Sequence, residues 1–270
     1  MGHHDVLLRA TTNVSVVRNG GRATADAPAP RSPRVPNLAG LPSPVTWPFF
    51  VAASIHLLAQ YAAWQGIAVA DDVAELSKLV LLPALWLVLD AGLRHGARIT
   101  GALPGWWRWA AAALAFSWLG DVVLTSEPLL LAGMGFFAVA HVAYVVTFLQ
   151  AARGRSTQRP RWLVVPYLAW WGGLVVFALA GDVPVTFVVP ALLYGTLLVA
   201  MAWLAARVSL AVGIGAALFV VSDSLIGLRV GDVTMPLHGV AVMATYLAAQ
   251  ALIVTGLIRA ARDGSIRSSP

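Results

Sequence analysis

Residues 208–228 read VSLAVGIGAALFVVSDSLIGL, a run of 21 residues with a single ionisable side chain, Asp223. Its length matches the ~20 apolar residues that an α-helix needs to cross the hydrocarbon core of a bilayer. The run therefore predicts a membrane-spanning helix. The carboxylate within it is unexpected, because an ionised side chain at the centre of such a helix costs about 2.5–3.5 kcal/mol on insertion scales.

The composition of the whole chain agrees with this segment. Of its 270 residues, 59% are apolar and 11% are charged, whereas soluble domains carry about 25% charged residues. We therefore predict an integral membrane protein of the cell (inner) membrane. The net charge of +6 does not indicate a nucleic-acid partner, since the arginines lie in loops and ends and no aromatic–basic recognition module is present. The absence of cysteine excludes disulfides, a thiol nucleophile and a Cys-containing zinc site.

Apolar runs of similar length recur on both sides of this segment. They predict an all-α fold, a polytopic membrane helix bundle with eight transmembrane helices, at roughly 47–69, 76–93, 106–125, 128–150, 162–180, 184–206, 208–228 and 237–260. Short connections between these runs predict antiparallel neighbours. Residues 45–262 form the predicted membrane domain, preceded by a disordered Pro/Ala/Arg-rich tail over 1–44 and followed by a flexible C-terminal tail over 263–270.

The distribution of charge predicts the orientation of the bundle. An eight-span arrangement places 16 of the 18 Lys and Arg residues on one side, together with both termini. The opposite loops carry a mainly acidic set, with Arg229 as their one cation: Asp71, Asp72, Glu75, Glu127, Asp182 and Asp232. By the positive-inside rule, both termini are expected to be cytoplasmic. A seven-span arrangement would scatter the arginines over both sides.

Two aspartates lie inside predicted spans that run in the same direction. Asp121 is four residues from the outer end of the third span, and Asp223 is about five from the outer end of the seventh. Equal depth makes a shared pocket possible. Each could instead cap or hydrogen-bond a neighbouring helix, but ionisable residues inside membranes mark functional sites by default.

The other polar side chains within the spans allow two interpretations each. Lys78, the only lysine, could snorkel to the interface or pair with one carboxylate. His141, near the middle of the fourth span, and Tyr194 could be hydrogen-bonded structural residues or members of a site. Tyr246 and Gln250 form an i, i+4 pair on one helical face, for which interhelical hydrogen bonding is the simpler interpretation. No HxxxH or HxxE pair occurs in any span, so we expect no metal and no other cofactor.

Several segments of the chain, in the same order, resemble segments of a known protein family. LGDVVL (119–124), GMGFFAVAHVAYVVTF (133–148), LFVVSDSLIGL (218–228) and TYLAAQALIVTG (245–256) are similar to segments of the YhhN-type lysoplasmalogenases, which are eight-span membrane proteins. The resemblance extends from about Lys78 to Gly256. One departure is that Lys78 is followed by Leu79 rather than proline. The resemblance implies hydrolysis of the vinyl-ether bond of a lysoplasmalogen, giving a fatty aldehyde and glycerophosphoethanolamine or glycerophosphocholine.

The aspartates suit that chemistry. A vinyl ether must be protonated on carbon before water can capture the resulting oxocarbenium ion, so the reaction needs one protonated acid and one ionised base. We expect Asp121 and Asp223 to fill these two roles, in an order that the sequence leaves open. Lys78, His141, Tyr194, Tyr246 and Gln250 are expected to line the pocket or to position water and the headgroup. The expected partners are a lysophospholipid entering sideways from the bilayer and other membrane lipids; no protein partner is indicated.

Two other functions remain open at this point. Paired carboxylates inside a membrane also mark transporters and proton-coupled carriers, and the likeness between FSWLGDVVL (116–124) and LFVVSDSLIG (218–227) is compatible with the internal repeats of transporters. A metal-dependent membrane lipid hydrolase, such as a zinc amidase, is a third alternative. Sensitivity to a chelator would distinguish it from a metal-free hydrolase.

Overall fold

The computed structural model describes residues 43–124, 129–153, 161–180 and 185–267. In these ranges the chain forms eight α-helices, and no strand is present: α1 Ser43–Trp64, α2 Val69–Thr100, α3 Trp107–Val123, α4 Leu130–Ala151, α5 Val165–Ala180, α6 Val185–Val208, α7 Leu210–Val230 and α8 His238–Arg267. A short 3-10 helix, Arg161–Val164, precedes α5. Each predicted span overlaps one α-helix, so the all-helical prediction is confirmed.

Six of these helices (α2 and α4–α8) are long and apolar enough to cross a bilayer. The other two helices are not among these six: α3 has 17 residues, and α1 contains the polar residues His56 and Gln60. Several large apolar side chains point outward, with Leu58 67% and Leu179 70% exposed. A surface of this kind is suited to lipid rather than water. The chain is therefore an integral membrane protein, whereas the count of eight crossings stays a prediction.

The predicted boundary of the second span is wrong at its N-terminal end. Helix α2 begins at Val69 rather than near residue 76 and runs for 32 residues. Asp71, Asp72 and Glu75, predicted to lie in a loop, are helical, and the first two occupy the opening turn. Carboxylates are favourable there because the helix dipole is positive at its N-terminus.

Most residues of the two predicted tails lie outside the residues that the structure describes. Residues 1–42 of the predicted N-terminal tail are outside the described residues, and α1 starts at Ser43. At the other end, α8 continues to Arg267, so residues 263–267 of the predicted C-terminal tail are helical.

Small residues allow the helices around the site to approach closely. Helix α7 packs along α8, and α3 packs along α4. A Cβ on Gly215 of α7 would lie 2.8 Å from the carbonyl oxygen of Ala249 and 3.0 Å from the amide nitrogen of Ile253, both in the backbone of α8. Glycine is therefore required at this contact, as at many close helix–helix contacts in membranes.

Candidate active site

Both aspartates line one cavity of about 460 Å³, which we call the chamber. It lies where the C-terminal ends of α3 and α7 meet the N-terminal parts of α2 and α8, and its polar walls include Lys78, Asp121, Asp223 and Tyr246. The shared pocket that equal depth makes possible is therefore present in the fold. Of the side chains predicted to form a site, these four face the chamber.

Asp121 lies in the last turn of α3 and is 8% exposed. Its Oδ2 accepts a hydrogen bond of 2.8 Å from the hydroxyl of Tyr246 on α8. This bond fixes one carboxylate oxygen of Asp121 against α8 and spans the gap between two helices that are distant in sequence.

A second, fully buried layer lies behind this pair. Gln250, one turn after Tyr246, donates through Nε2 to Ser117 Oγ at 3.2 Å, and its Oε1 accepts from the hydroxyl of Tyr144. The predicted common face of Tyr246 and Gln250 is thus confirmed, since both contact the α3–α4 side of the bundle. Gln250 does not line the chamber. Its hydrogen bonds instead hold α3, α4 and α8 together next to it.

Asp223, on α7, has a different set of partners. The hydroxyl of Tyr194, on α6, donates to Asp223 Oδ2 at 2.5 Å, and His141 Nε2, on α4, lies 2.9 Å from the same tyrosine oxygen and 3.5 Å from Asp223 Oδ2. Because the single hydroxyl proton of Tyr194 goes to the carboxylate, the tyrosine oxygen can only accept from the ring, which assigns the hydrogen to His141 Nε2. His141 Nε2 therefore donates to Tyr194 and Tyr194 donates to Asp223 Oδ2, so the three residues form one chain of hydrogen bonds.

Lys78 forms no ion pair with either aspartate or with any other described acidic residue. Its half-buried side chain lines the chamber and also a second cavity nearer the N-terminus of α2. The position between two cavities suits a residue that meets a charged group of a ligand, in keeping with the expectation that Lys78 lines the pocket or positions the headgroup.

A pocket of about 100 Å³ adjoins the chamber on the α5–α6 side. We call it the apolar pocket; apart from Tyr194, Asp223 and Ser224, its lining is aliphatic, aromatic or glycine, and it includes Met134, Trp170, Leu174, Phe177 and Gly227. It shares Asp223, Phe137 and four other lining residues with the chamber. An apolar chain can therefore reach the carboxylate without leaving apolar surroundings.

On its other side the chamber continues into a polar cavity of about 550 Å³, which we call the vestibule. Its lining carries charges of both signs: Asp71, Glu75, Lys78 and Arg229, with the polar residues Gln60 and His238. From the apolar pocket through the chamber to the vestibule, the lining changes from apolar side chains to two carboxylates and then to charges of both signs. This order matches an amphiphile with one chain and a zwitterionic head.

The sequence analysis missed several residues of this site. Gln60, Ser222, Arg229 and His238 line the chamber, and Asp71 and Glu75 line the vestibule. Gln60 carried a usable signal, because it is an amide within a predicted span, as Gln250 is. Ser222 adjoins Asp223 within a predicted span, and the others sit close to the ends of predicted spans, where polar residues are ordinary. Within the described ranges, no three His, Asp or Glu side chains are grouped so that they could hold a metal ion.

Comparison with known proteins gives a consistent set of relatives. The family model described as the YhhN family matches residues 73–257. Lysoplasmalogenase TMEM86B of Rattus norvegicus is 30% identical over 213 residues, which are 78% of this chain and 83% of the relative. The protein of that name from Homo sapiens is 30% identical over 187 residues, covering 67% and 72% of the two chains. Lysoplasmalogenase TMEM86A of Bos taurus is 29% identical, with coverages of 78% and 87%. No solved structure matches the chain.

Proposed function

Because this chain belongs to the YhhN family, we propose that it is a membrane lysoplasmalogenase, a hydrolase that cleaves the vinyl-ether bond of a lysoplasmalogen to a fatty aldehyde and a glycerophosphoethanolamine or glycerophosphocholine. The observation that carries the proposal is that two carboxylates, Asp121 and Asp223, line one chamber between an apolar pocket and a charged vestibule. The relatives named as lysoplasmalogenases support the same activity.

The partners of the two aspartates favour an assignment of roles. Asp223 accepts from Tyr194, whose oxygen accepts in turn from His141 Nε2, and a donor at the end of such a chain of hydrogen bonds stabilises an ionised carboxylate. Among the described residues, Tyr246 is the one that donates a hydrogen bond to Asp121. We therefore assign Asp121 as the acid that carries the proton and Asp223 as the carboxylate.

The reaction begins with carbon protonation. Asp121 delivers its proton to the vinyl carbon farther from the ether oxygen, and the π pair of the double bond forms the new C–H bond. The positive charge that develops is shared by the other vinyl carbon and the ether oxygen. The carboxylate of Asp223 stabilises this oxocarbenium ion, because a fixed negative charge interacts strongly in a poorly hydrated cavity.

Water then completes the cleavage. As the oxygen of a water molecule bonds to the oxocarbenium carbon, Asp223 accepts one of its protons, which gives a hemiacetal. The hemiacetal hydroxyl returns a proton to Asp121, the bond between that carbon and the glycerol oxygen breaks, and Asp223 protonates the departing oxygen. Both aspartates regain their starting states, and the net reaction consumes one water.

The placement of the substrate follows from the three cavities. The alkenyl chain occupies the apolar pocket, the vinyl ether lies between the aspartates, and the headgroup extends into the vestibule. We further propose that all eight helices cross the cell (inner) membrane with both termini in the cytoplasm. The vestibule is formed by the ends of α1, α2, α7 and α8 opposite the arginine-rich side, so it faces away from the cytoplasm.

The test is aldehyde release from synthetic lysoplasmalogen by the purified protein. We expect activity from the wild type and losses of at least ~10³-fold in Asp121→Asn and Asp223→Asn, since each removes a group that transfers protons in two steps. Asp90→Asn is the matched control, because Asp90 pairs with Arg94 at 2.7 Å near the other end of α2 and lies outside the chamber. Full activity in either chamber variant would refute the two-aspartate mechanism.

A wild-type protein that is folded but releases no aldehyde would refute the hydrolase itself. The transporter alternative would then be tested in proteoliposomes with the same variants.

A further inference from the structure

We propose that the vestibule is a headgroup subsite that selects an ethanolamine phosphate over a choline phosphate. The inference rests on the proposed function and adds the identity of the polar group that the enzyme recognises. It is carried by the order of charges along α2 and by the residue types that line the vestibule.

Three charged residues follow one another along one face of α2. Asp71, Glu75 and Lys78 are spaced by four and three positions, which places them in a row on the helix surface, and all three line the vestibule. At 1.5 Å per residue, Glu75 lies ~6 Å and Lys78 ~10 Å along the axis from Asp71. Lys78 also lines the chamber, together with Asp121. The order toward the reacting bond is therefore carboxylate, carboxylate, ammonium.

The headgroup of a lysoplasmenylethanolamine has the complementary order of charges. Its ammonium is outermost, the phosphate follows, and the glycerol connects the phosphate to the vinyl ether. With the vinyl ether between the aspartates, the phosphate comes beside Lys78 and Arg229, which both line the chamber and the vestibule. The ammonium then lies beside Glu75 and Asp71.

Two further acceptors suit the glycerol that joins the phosphate to the vinyl ether. Gln60 and His238 line both cavities, and Gln60 Oε1 and His238 Nδ1 are buried with no hydrogen-bond partner among the described residues. His238 Nε2 lies 2.8 Å from the carbonyl oxygen of Leu225, so it carries the hydrogen and leaves Nδ1 as an acceptor in the neutral ring. Buried acceptors without donors are unfavourable, and a glycerol hydroxyl, which this placement brings to the junction of the two cavities, can supply the missing donor.

A choline headgroup fits this wall less well. Its quaternary ammonium has no N–H group to donate, and proteins recognise it mainly through the faces of several aromatic rings. Among the described residues of the vestibule lining, Trp64 is the single Phe, Tyr or Trp. Carboxylates and an amide, by contrast, suit the three N–H donors of ethanolamine.

The experiment compares the two headgroups on one alkenyl chain. The purified full-length protein in nanodiscs is given lysoplasmenylethanolamine or lysoplasmenylcholine, and kcat/KM is measured from aldehyde release. Binding of the saturated 1-O-alkyl analogues, which cannot be protonated on carbon, is measured in parallel. We expect a preference of about tenfold for ethanolamine, as for one charge-assisted hydrogen bond.

Variants locate the preference in the vestibule. In the double variant Asp71→Asn with Glu75→Gln, the ethanolamine-to-choline ratio should fall toward one in both kcat/KM and analogue binding. Asp72→Asn is the matched control, because Asp72 is the exposed neighbour of Asp71 and does not line the vestibule; its ratio should equal that of the wild type.

Equal use of both headgroups by the wild type, or an unchanged ratio in the double variant, would overturn the headgroup inference and leave the hydrolase intact. Absence of aldehyde from both substrates would refute the hydrolase. The binding ratio of the analogues would then still decide whether the vestibule distinguishes the headgroups.

Discussion

Replacing Tyr194 by phenylalanine removes one hydroxyl group at the centre of the proposed site. That hydroxyl donates to Asp223 Oδ2 at 2.5 Å and lies 2.9 Å from His141 Nε2. Without it, the carboxylate loses the hydrogen bond from Tyr194, and His141 Nε2, 3.5 Å from Asp223 Oδ2, loses its acceptor. The substitution changes almost no volume, so the effect should report the hydrogen bond rather than packing.

The size of the effect follows from the type of bond. A hydrogen bond to a charged group contributes about 1.5–3 kcal/mol, and each 1.36 kcal/mol is tenfold in rate. If the bond stabilises Asp223 while it faces the oxocarbenium ion, Tyr194→Phe should lower kcat by roughly 10- to 150-fold with little change in KM. The assay is aldehyde release at several substrate concentrations.

Tyr144→Phe is the matched control for this prediction. It also removes a buried tyrosine hydroxyl, but that hydroxyl donates to Gln250 and contacts neither aspartate. We expect reduced thermal stability and a smaller loss of kcat than in Tyr194→Phe. Equal losses of kcat in the two variants, or a loss confined to KM, would refute the role assigned to the Tyr194–Asp223 bond.

Three further predictions address packing, chain binding and metal dependence. Gly215→Val should lower the free energy of unfolding in detergent by ~1–3 kcal/mol, because its Cβ would lie 2.8 Å from the carbonyl oxygen of Ala249. An unchanged melting temperature would contradict the close α7–α8 contact. Gly227→Leu should leave the stability of the fold unchanged, since no atom lies within 4 Å of an added Cβ. Because the leucine side chain narrows the apolar pocket, kcat/KM should fall more for long alkenyl chains than for short ones. Equal losses at all chain lengths would argue against binding of the alkenyl chain in this pocket. Dialysis against EDTA should leave activity unchanged, and a loss restored by zinc would favour the metal-dependent alternative.

The sequence was sufficient for the helices and for the expectation that the two aspartates could share a pocket. Apolar runs of about 20 residues have one stable solution in a bilayer, because a helix satisfies its own backbone hydrogen bonds. Counting from the ends of two such runs was enough to predict that Asp121 and Asp223 could share a pocket. The acids of α2 were misplaced because the apolar run begins after them, although the helix itself starts at Val69.

The hydrogen-bond partners of each aspartate could not be predicted from a single sequence. A helix that is apolar on most faces gives little indication of which face meets which neighbour. Nothing in the spacing predicts that Tyr194 donates to Asp223, whereas Tyr246 donates to Asp121. These pairings depend on the packing of α6 against α7 and of α8 beside α3, and they support the division of labour proposed for the two carboxylates.

The apolar pocket is lined by residues of α5 and α6 and the vestibule by residues of α1 and α2, which has a consequence for the fate of the products. The two products of the proposed hydrolysis differ sharply in solubility. Each methylene of the aldehyde favours an apolar phase by ~0.8 kcal/mol, so this product enters the bilayer, while the glycerophosphate product dissolves in water. Once separated into different phases, the two rarely meet again at the aspartates. Release of each product into the phase that dissolves it thus opposes the reverse reaction without any input of chemical energy.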